Sequence, residues 1–354
     1  LTTIRKKIAQ MLIMGFEGCD LESAHAITPC LSTEGLGGVL LFDYDVKNQC
    51  YGKNILSKPQ IKKFNQQLAE TAAQDLPLFI AIDYEGGSVD RLKYIDGCMS
   101  TLDAEEYSKL DPSVQLVYAE KMAETLADLG FNLNFAPVVD LNLNQKEGII
   151  GKLHRSFSSK PEKVIEISTN FVKSFAKHDI TCCYKHFPGH GSAVGDTHLG
   201  FVDVSDTFQE SELKPYSVLL KNNQHPAMVM TAHVINKKLD PQGIPATLSH
   251  KILTGILREK IGFNGVIISD DLQMQAISNS YSLEEALELA INAGTDMIII
   301  ANQLGSVSAM EVVNTIESML INKKIDVRRI EEAYQRIVRL KTWSAIKIKS
   351  ASLL

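Results

Sequence analysis

The sequence contains no uninterrupted apolar run long enough to cross a bilayer, which argues against a membrane-spanning role. Nor does it carry an excess of positive charge: 36 Lys and Arg stand against 42 Asp and Glu, a formal net charge of −6. Binding to phosphate backbones needs a basic field, so nucleic acid is not expected as a partner. The six cysteines, Cys19, Cys30, Cys50, Cys98, Cys182 and Cys183, fit neither zinc-ribbon spacing nor a dense disulfide framework. Cys182 and Cys183 read as small core residues of a buried strand, and a bridge among the first four stays open. There is no internal repeat, no low-complexity tract and no linker rich in Pro, Gly or Ser, so one domain is expected over 1–354. No signal peptide is visible after Leu1. The cytoplasm is the favoured compartment, with the periplasm or exterior open if a leader preceded that residue.

What is present is the balance of a globular protein, 45% hydrophobic and 22% charged residues. Short apolar, β-branched runs alternate with longer amphipathic ones. Strands are predicted at 11–16, 38–42, 78–83, 133–138, 181–186, 228–233, 266–270 and 296–300. Helices are predicted at 59–74, 114–129, 160–178, 248–261 and 283–293, with two more at 306–321 and 326–343. Gly130, Gly262 and Gly294 stand where they would end a helix and turn the chain into the next strand. The Lys-rich tail around Lys341, Lys347 and Lys349 reads as a solvated helix face. Eight strands with helices between them predict a single-domain α/β fold, a (β/α)8 TIM-like barrel, whose reactive groups lie at the C-terminal strand ends.

The charged residues fall at those ends. Asp83 and Glu85 close the third strand, Asp140 follows the fourth, Lys185 and His186 close the fifth, His233 the sixth, and Asp270 with Asp271 the seventh. Residues 185–198, Lys-His-Phe-Pro-Gly-His-Gly-Ser-Ala-Val-Gly-Asp-Thr-His, set three histidines among three glycines and a proline. That backbone suits neither helix nor ladder. His198, two residues from Asp196, is placed to exchange a proton near neutral pH; a purely structural loop and a metal cluster are the other readings. Strand alternation turns only one of Asp270 and Asp271 toward the barrel axis, without deciding which. Asp83 is suited to sugar hydroxyls, Arg91 and Arg155 to forked hydrogen bonds, and Glu85 either to the site or to an ion pair that holds a loop. His233 is either functional or a satisfied core histidine.

Seven motifs in order extend over nearly the whole chain: Asp-x-Glu-Gly-Gly-x-Val-x-Arg-Leu at 83–92, Asn-x-Ala-Pro-Val-x-Asp at 134–140, Gly-x(3)-Arg-Ser-Phe at 151–157, the 185–198 run, Thr-Ala-His-Val at 231–234, Pro-Ala-Thr-Leu-Ser at 245–249 and Ser-Asp-Asp-Leu-x-Met at 269–274. Together they resemble glycoside hydrolase family 3, specifically its NagZ-type β-N-acetylglucosaminidases. The resemblance implies a retaining exo-hydrolase that removes non-reducing terminal β-linked N-acetylglucosamine, typically from peptidoglycan-derived muropeptides. It implies Asp270 as nucleophile, His198 as acid and then base, and Asp196 as its orienting partner. It places Asp83, Arg91, Arg155, Lys185 and His186 on the sugar ring, with His190 left to shape the loop. No cofactor and no metal are expected, and a monomer is. The loop glycines, 189, 191 and 195, suggest that the loop closes over substrate.

Three positions depart from the family pattern. Ser88 stands in place of the usual arginine, so an ion pair beside the sugar is expected to be missing; Thr197 replaces a serine. The segment 42–54 is long and polar, and is expected to reshape the aglycone side. A phosphorylase is the alternative enzyme, since a neutral histidine does not repel phosphate, and a non-catalytic sugar-binding barrel is the alternative outside enzymes.

Overall fold

The computed structural model describes residues 2–73, 75–221 and 224–351, the stretch 344–351 as helical backbone. Leu1 and Gln74, the end of one predicted helix, lie outside them, as do the side chains of Lys347 and Lys349. Eight parallel strands form one sheet: β1 (Leu12–Met14), β2 (Gly38–Leu40), β3 (Phe79–Ile82), β4 (Leu133–Asn134), β5 (Thr181–Phe187), β6 (Met228–Thr231), β7 (Ile267–Ser269) and β8 (Ile298–Ile300). They are ordered β7-β6-β5-β4-β3-β2-β1-β8, and a parallel bridge between Ile268 and Met297 joins the two ends. Every strand residue is buried. This is the demand of a parallel barrel, packed with side chains inside and covered by helices outside.

Local signals set the outer helices. Helices 283–293 and 309–321 open on capping boxes, Ser282 with Glu285 and Ser308 with Glu311. Pro59, Pro112 and Pro161 occupy first turns, where a missing N–H costs nothing. Gly294 ends its helix at φ 121°, a conformation that a Cβ would disfavour.

Helices at Ile4–Gln10, Thr28–Thr33 and Lys214–Leu219 were not expected, and two expected elements change character. Regular pairing in β4 stops after Asn134, and beyond it single contacts continue the ladder, among them the Phe135 N–H to the Ile82 carbonyl at 3.0 Å and a bridge between Val138 and Lys185. The Asn134 side chain takes over, accepting from the Tyr84 N–H at 3.0 Å and donating to the Tyr84 carbonyl at 3.1 Å. The helix expected over 248–261 is a short 3-10 turn at 246–248 followed by a π-helix over 251–260. Ile252 and Leu257, five residues apart, are both fully buried, a spacing that suits the wider turn. All six cysteines are free thiols, so the first four form no bridge.

Lys341 overturns the solvated-face reading. Its side chain is buried, with Nζ donating to Gln10 Oε1 at 2.9 Å and to the Gly37 carbonyl at 2.7 Å, above the Phe79 ring. Burial pulls its ammonium down to about 7 from 10.5. Between these values the unfolded chain binds a proton that the folded chain does not, so this group makes stability rise with pH by about 1.4 kcal/mol per unit. Below that window its full cost is present. In Lys341→Met the slope should vanish. Urea unfolding at about pH 7.5 and about pH 9.5 should therefore show the parent gaining about 2 kcal/mol on the variant, and an unchanged difference would refute the assignment.

Candidate active site

The mouth of the barrel is built from the strand ends upward. After β3 the chain forms a hairpin, residues 84–86 against 89–90, in which Tyr84 faces Asp90. The turn lays Asp83 beside Arg91, with the Arg91 N–H reaching the Asp83 carbonyl at 3.4 Å. The two side chains approach to 3.6 Å, and Arg91 stands equally far from Asp43, which follows β2. Lys185, from β5, lies 3.3 Å from Asp83 and 2.7 Å from Glu85. Glu85 in turn receives a fork from Arg155, Nε at 2.9 Å and Nη2 at 2.7 Å. The result is one alternating chain of charges: Asp43, Arg91, Asp83, Lys185, Glu85, Arg155.

Burial works against charge in this chain: partners restore it at Glu85, Lys185 and Arg155, whereas at Asp43 desolvation exceeds the pull of Arg91 and the carboxyl is raised. Glu85 is desolvated, yet Arg155 and Lys185 hold its carboxyl well below the usual range. Desolvation likewise opposes the charges of Lys185 and Arg155 and is the largest single influence on each, but Glu85 and Asp83 together, with Asp140 at Arg155, turn both net shifts upward, so both stay cationic. The arginine that neighbours Glu85 in sequence, Arg91, is thus not its partner. The ion pair belongs to Arg155, seventy residues on. Ser88 donates to the Leu153 carbonyl, at 3.2 Å.

Register explains how Lys185 and His186 reach the same site. β5 and β6 pair Val229 with Tyr184 but Thr231 with Phe187, so one strand carries an extra residue there. Such a bulge redirects adjacent side chains. His186 Nδ1 is held at 2.7 Å by Asp140 Oδ2, which leaves Nε2 for a ligand. Asp140 is the functional residue that sequence reasoning missed. Fully buried, it also accepts from the backbone N–H groups of His186 and His190. Burial raises its pKa, but His186 and His190 turn the net shift downward. Its place at the end of a motif was the available signal. His190 is buried and pushed down to about 4 by desolvation, a neutral imidazole that shapes the loop. Gly191 packs so closely that a Cβ would lie 1.8 Å from the Leu141 carbonyl oxygen.

The two aspartates after β7 separate as alternation requires. Asp271 turns back into the wall and accepts from the Ala301 and Gln273 N–H groups at 3.0 and 3.1 Å, and burial raises it to about 7. Asp270 is partly exposed. Burial alone would raise its pKa, but His233, His186, His198 and the Asp271 N–H lower it, leaving a carboxylate. His233 is buried and satisfied: Nε2 meets the Asp271 carbonyl at 2.7 Å and Nδ1 the Thr247 hydroxyl at 2.8 Å. Burial lowers its pKa, and its bond to that carbonyl steadies the turn that carries Asp270. His198 is 61% exposed, its Nδ1 donating to Asp196 Oδ1 at 2.6 Å. That bond raises the imidazole pKa and leaves Nε2 facing outward for proton transfer. Asp270, His186 and Arg155 all act electrostatically with His198 or with one another, so the predicted residues share one mouth.

A parallel barrel with a cleft of ion pairs, a free carboxylate and a carboxylate-bound imidazole at its C-terminal strand ends defines an α/β-barrel enzyme. The chain belongs to the family described as glycosyl hydrolase family 3 N terminal domain, whose pattern matches residues 3–340. It is 33% identical over 316 residues to a beta-hexosaminidase of Tolumonas auensis, covering 85% of each chain. It is 31% identical over 337 residues to beta-hexosaminidase A of Pseudoalteromonas piscicida, covering 89% of this chain and 55% of that one. Among solved structures, a family 3 β-N-acetylglucosaminidase from a Paenibacillus species superposes with a TM-score of 0.85 at 29% identity, over 98% of this chain and 64% of that one. The chain thus spans little more than half of the Pseudoalteromonas relative.

Proposed function

We propose that this chain is a β-hexosaminidase: a retaining exo-glycosidase that removes terminal β-linked N-acetylglucosamine through a covalent intermediate on Asp270. The observation that carries the reading is a carboxylate and an Asp196-bound imidazole at one barrel mouth. Asp270 attacks C1 while His198 Nε2 gives its proton to the departing oxygen. The neutral imidazole then takes a proton from water, which attacks C1 and frees Asp270. Asp83, Arg91, Arg155, Lys185 and His186 hold the sugar, with Arg155 and Lys185 kept in place by Glu85 and His186 by Asp140. The loop bearing His198 closes over bound sugar. Muropeptides are the proposed natural substrates, on the family likeness. The working form is a monomer without cofactor or metal.

The first step needs His198 protonated, and Asp196 raises its pKa. Asp196→Asn should therefore move the basic limb of the kcat/KM profile to lower pH, and His198→Ala should lower kcat by about 10²-fold or more. A basic limb that stays in place in Asp196→Asn would remove Asp196 from this role. Assayed in phosphate buffer with a nitrophenyl β-N-acetylglucosaminide, the parent should release free sugar. Sugar 1-phosphate as the main product would make it a phosphorylase instead.

A further inference from the structure

Asp43 belongs to none of the motifs that define the family likeness, yet it ends the chain of ion pairs at the mouth. A hairpin pairing 44–45 with 50–51 fixes it, and the Gly52 and Lys53 N–H groups donate to its carbonyl at 2.7 and 3.3 Å. Its side chain is 14% exposed, 3.6 Å from Arg91. Arg91 lies over the Phe42 ring, and both its Nε and Asp43 Oδ1 are buried without a hydrogen-bond partner. The contact is a charge contact and not a forked hydrogen bond.

With Asp43 the chain holds three carboxylates, Asp43, Asp83 and Glu85, against three cations, Arg91, Lys185 and Arg155. Without it the wall carries one net positive charge. Lys53, just after the same hairpin, carries its ammonium to the Asn302 carbonyl and Gln303 Oε1 and makes no ion pair with Asp43, Asp83 or Glu85 among the described residues. β3 lies four strands from β7 in the closed order, so this wall faces Asp270 across the barrel. A sugar with C1 at Asp270 turns its 4- and 6-positions toward the wall.

We infer that Asp43 is a specificity-determining residue that neutralises this wall and so confines the terminal sugar to uncharged hydroxyls at its 4- and 6-positions, excluding sulfated or phosphorylated sugars. The inference rests on the β-hexosaminidase reading for the placement of C1. A positive wall would accept such anions, and Asp43 removes that attraction.

Calorimetric binding of N-acetylglucosamine and of its 6-sulfate to the whole protein tests it without turnover. The parent should prefer the neutral sugar, and in Asp43→Asn the preference should fall about tenfold. Asp43→Ser provides a second variant should the first fail to fold. Equal binding of both sugars by the parent, or a preference preserved in a folded variant, overturns the inference. Hydrolysis of the nitrophenyl glycoside, measured alongside, reports on the β-hexosaminidase reading alone: a preference that falls as expected in a parent without turnover overturns that reading and leaves the role of Asp43 standing.

Discussion

Asp270→Ala is expected to lower kcat by about 10³-fold or more, at least about 4 kcal/mol of lost transition-state stabilisation, while N-acetylglucosamine still binds. The loss is large because the carboxylate supplies the bond to C1, and nothing beside it is placed to substitute. Asp271 is the carboxyl next in the chain, but it is bound to the Ala301 and Gln273 N–H groups and raised to about 7. Sugar binding should survive because Asp83, Arg91, Lys185 and Arg155 are held by one another and not by Asp270. Trapping with a fluorinated sugar followed by peptide mapping is the direct check, and label on another residue would move the nucleophile. A parent chain that binds the sugar and never turns it over would instead be a binding protein.

Glu85→Gln should cost stability on a scale few single changes reach, about 3–5 kcal/mol by chemical denaturation. The substitution keeps the shape but leaves Arg155 and Lys185, 10% and 3% exposed, with too little negative charge. The depressed pKa of Glu85 sets the pH dependence. A carboxyl lowered on folding stabilises above its ordinary value, 4.5, and loses that contribution as pH falls toward the folded value. The gap between parent and variant should therefore narrow in acid. A loss under about 1 kcal/mol at neutral pH would mean that the pair behaves as a solvent-screened surface bridge.

Strand ends were the most legible part of this sequence, because a barrel strand is apolar where it is buried and polar where it emerges. Alternation also carried over: one of two adjacent aspartates faces the mouth and the other the wall. Pairings were not legible. Glu85 stands six residues from Arg91 and pairs with Arg155, because hairpin register and the spacing of three strand ends decide which guanidinium lies within reach. Asp140 sat in plain view at a strand end, but its task is to bind two backbone N–H groups and an imidazole of the next strand, and such contacts leave no trace in composition. Lys341 was misread for a related reason. A lysine on an amphipathic helix is normally solvated, and only packing against β2 and β3 shows that its amine ends on a carbonyl beneath the barrel.

By itself the sequence determined the alternation of strands and helices, the polar strand ends and the motifs that identify the family, since each is a property of short stretches of chain. Tertiary structure alone decided which charges meet. It joined Asp43, Arg91, Asp83, Lys185, Glu85 and Arg155, drawn from four separate segments, into a single sequence of ion pairs. Coulomb interactions depend on distance in space, and barrel closure sets that distance.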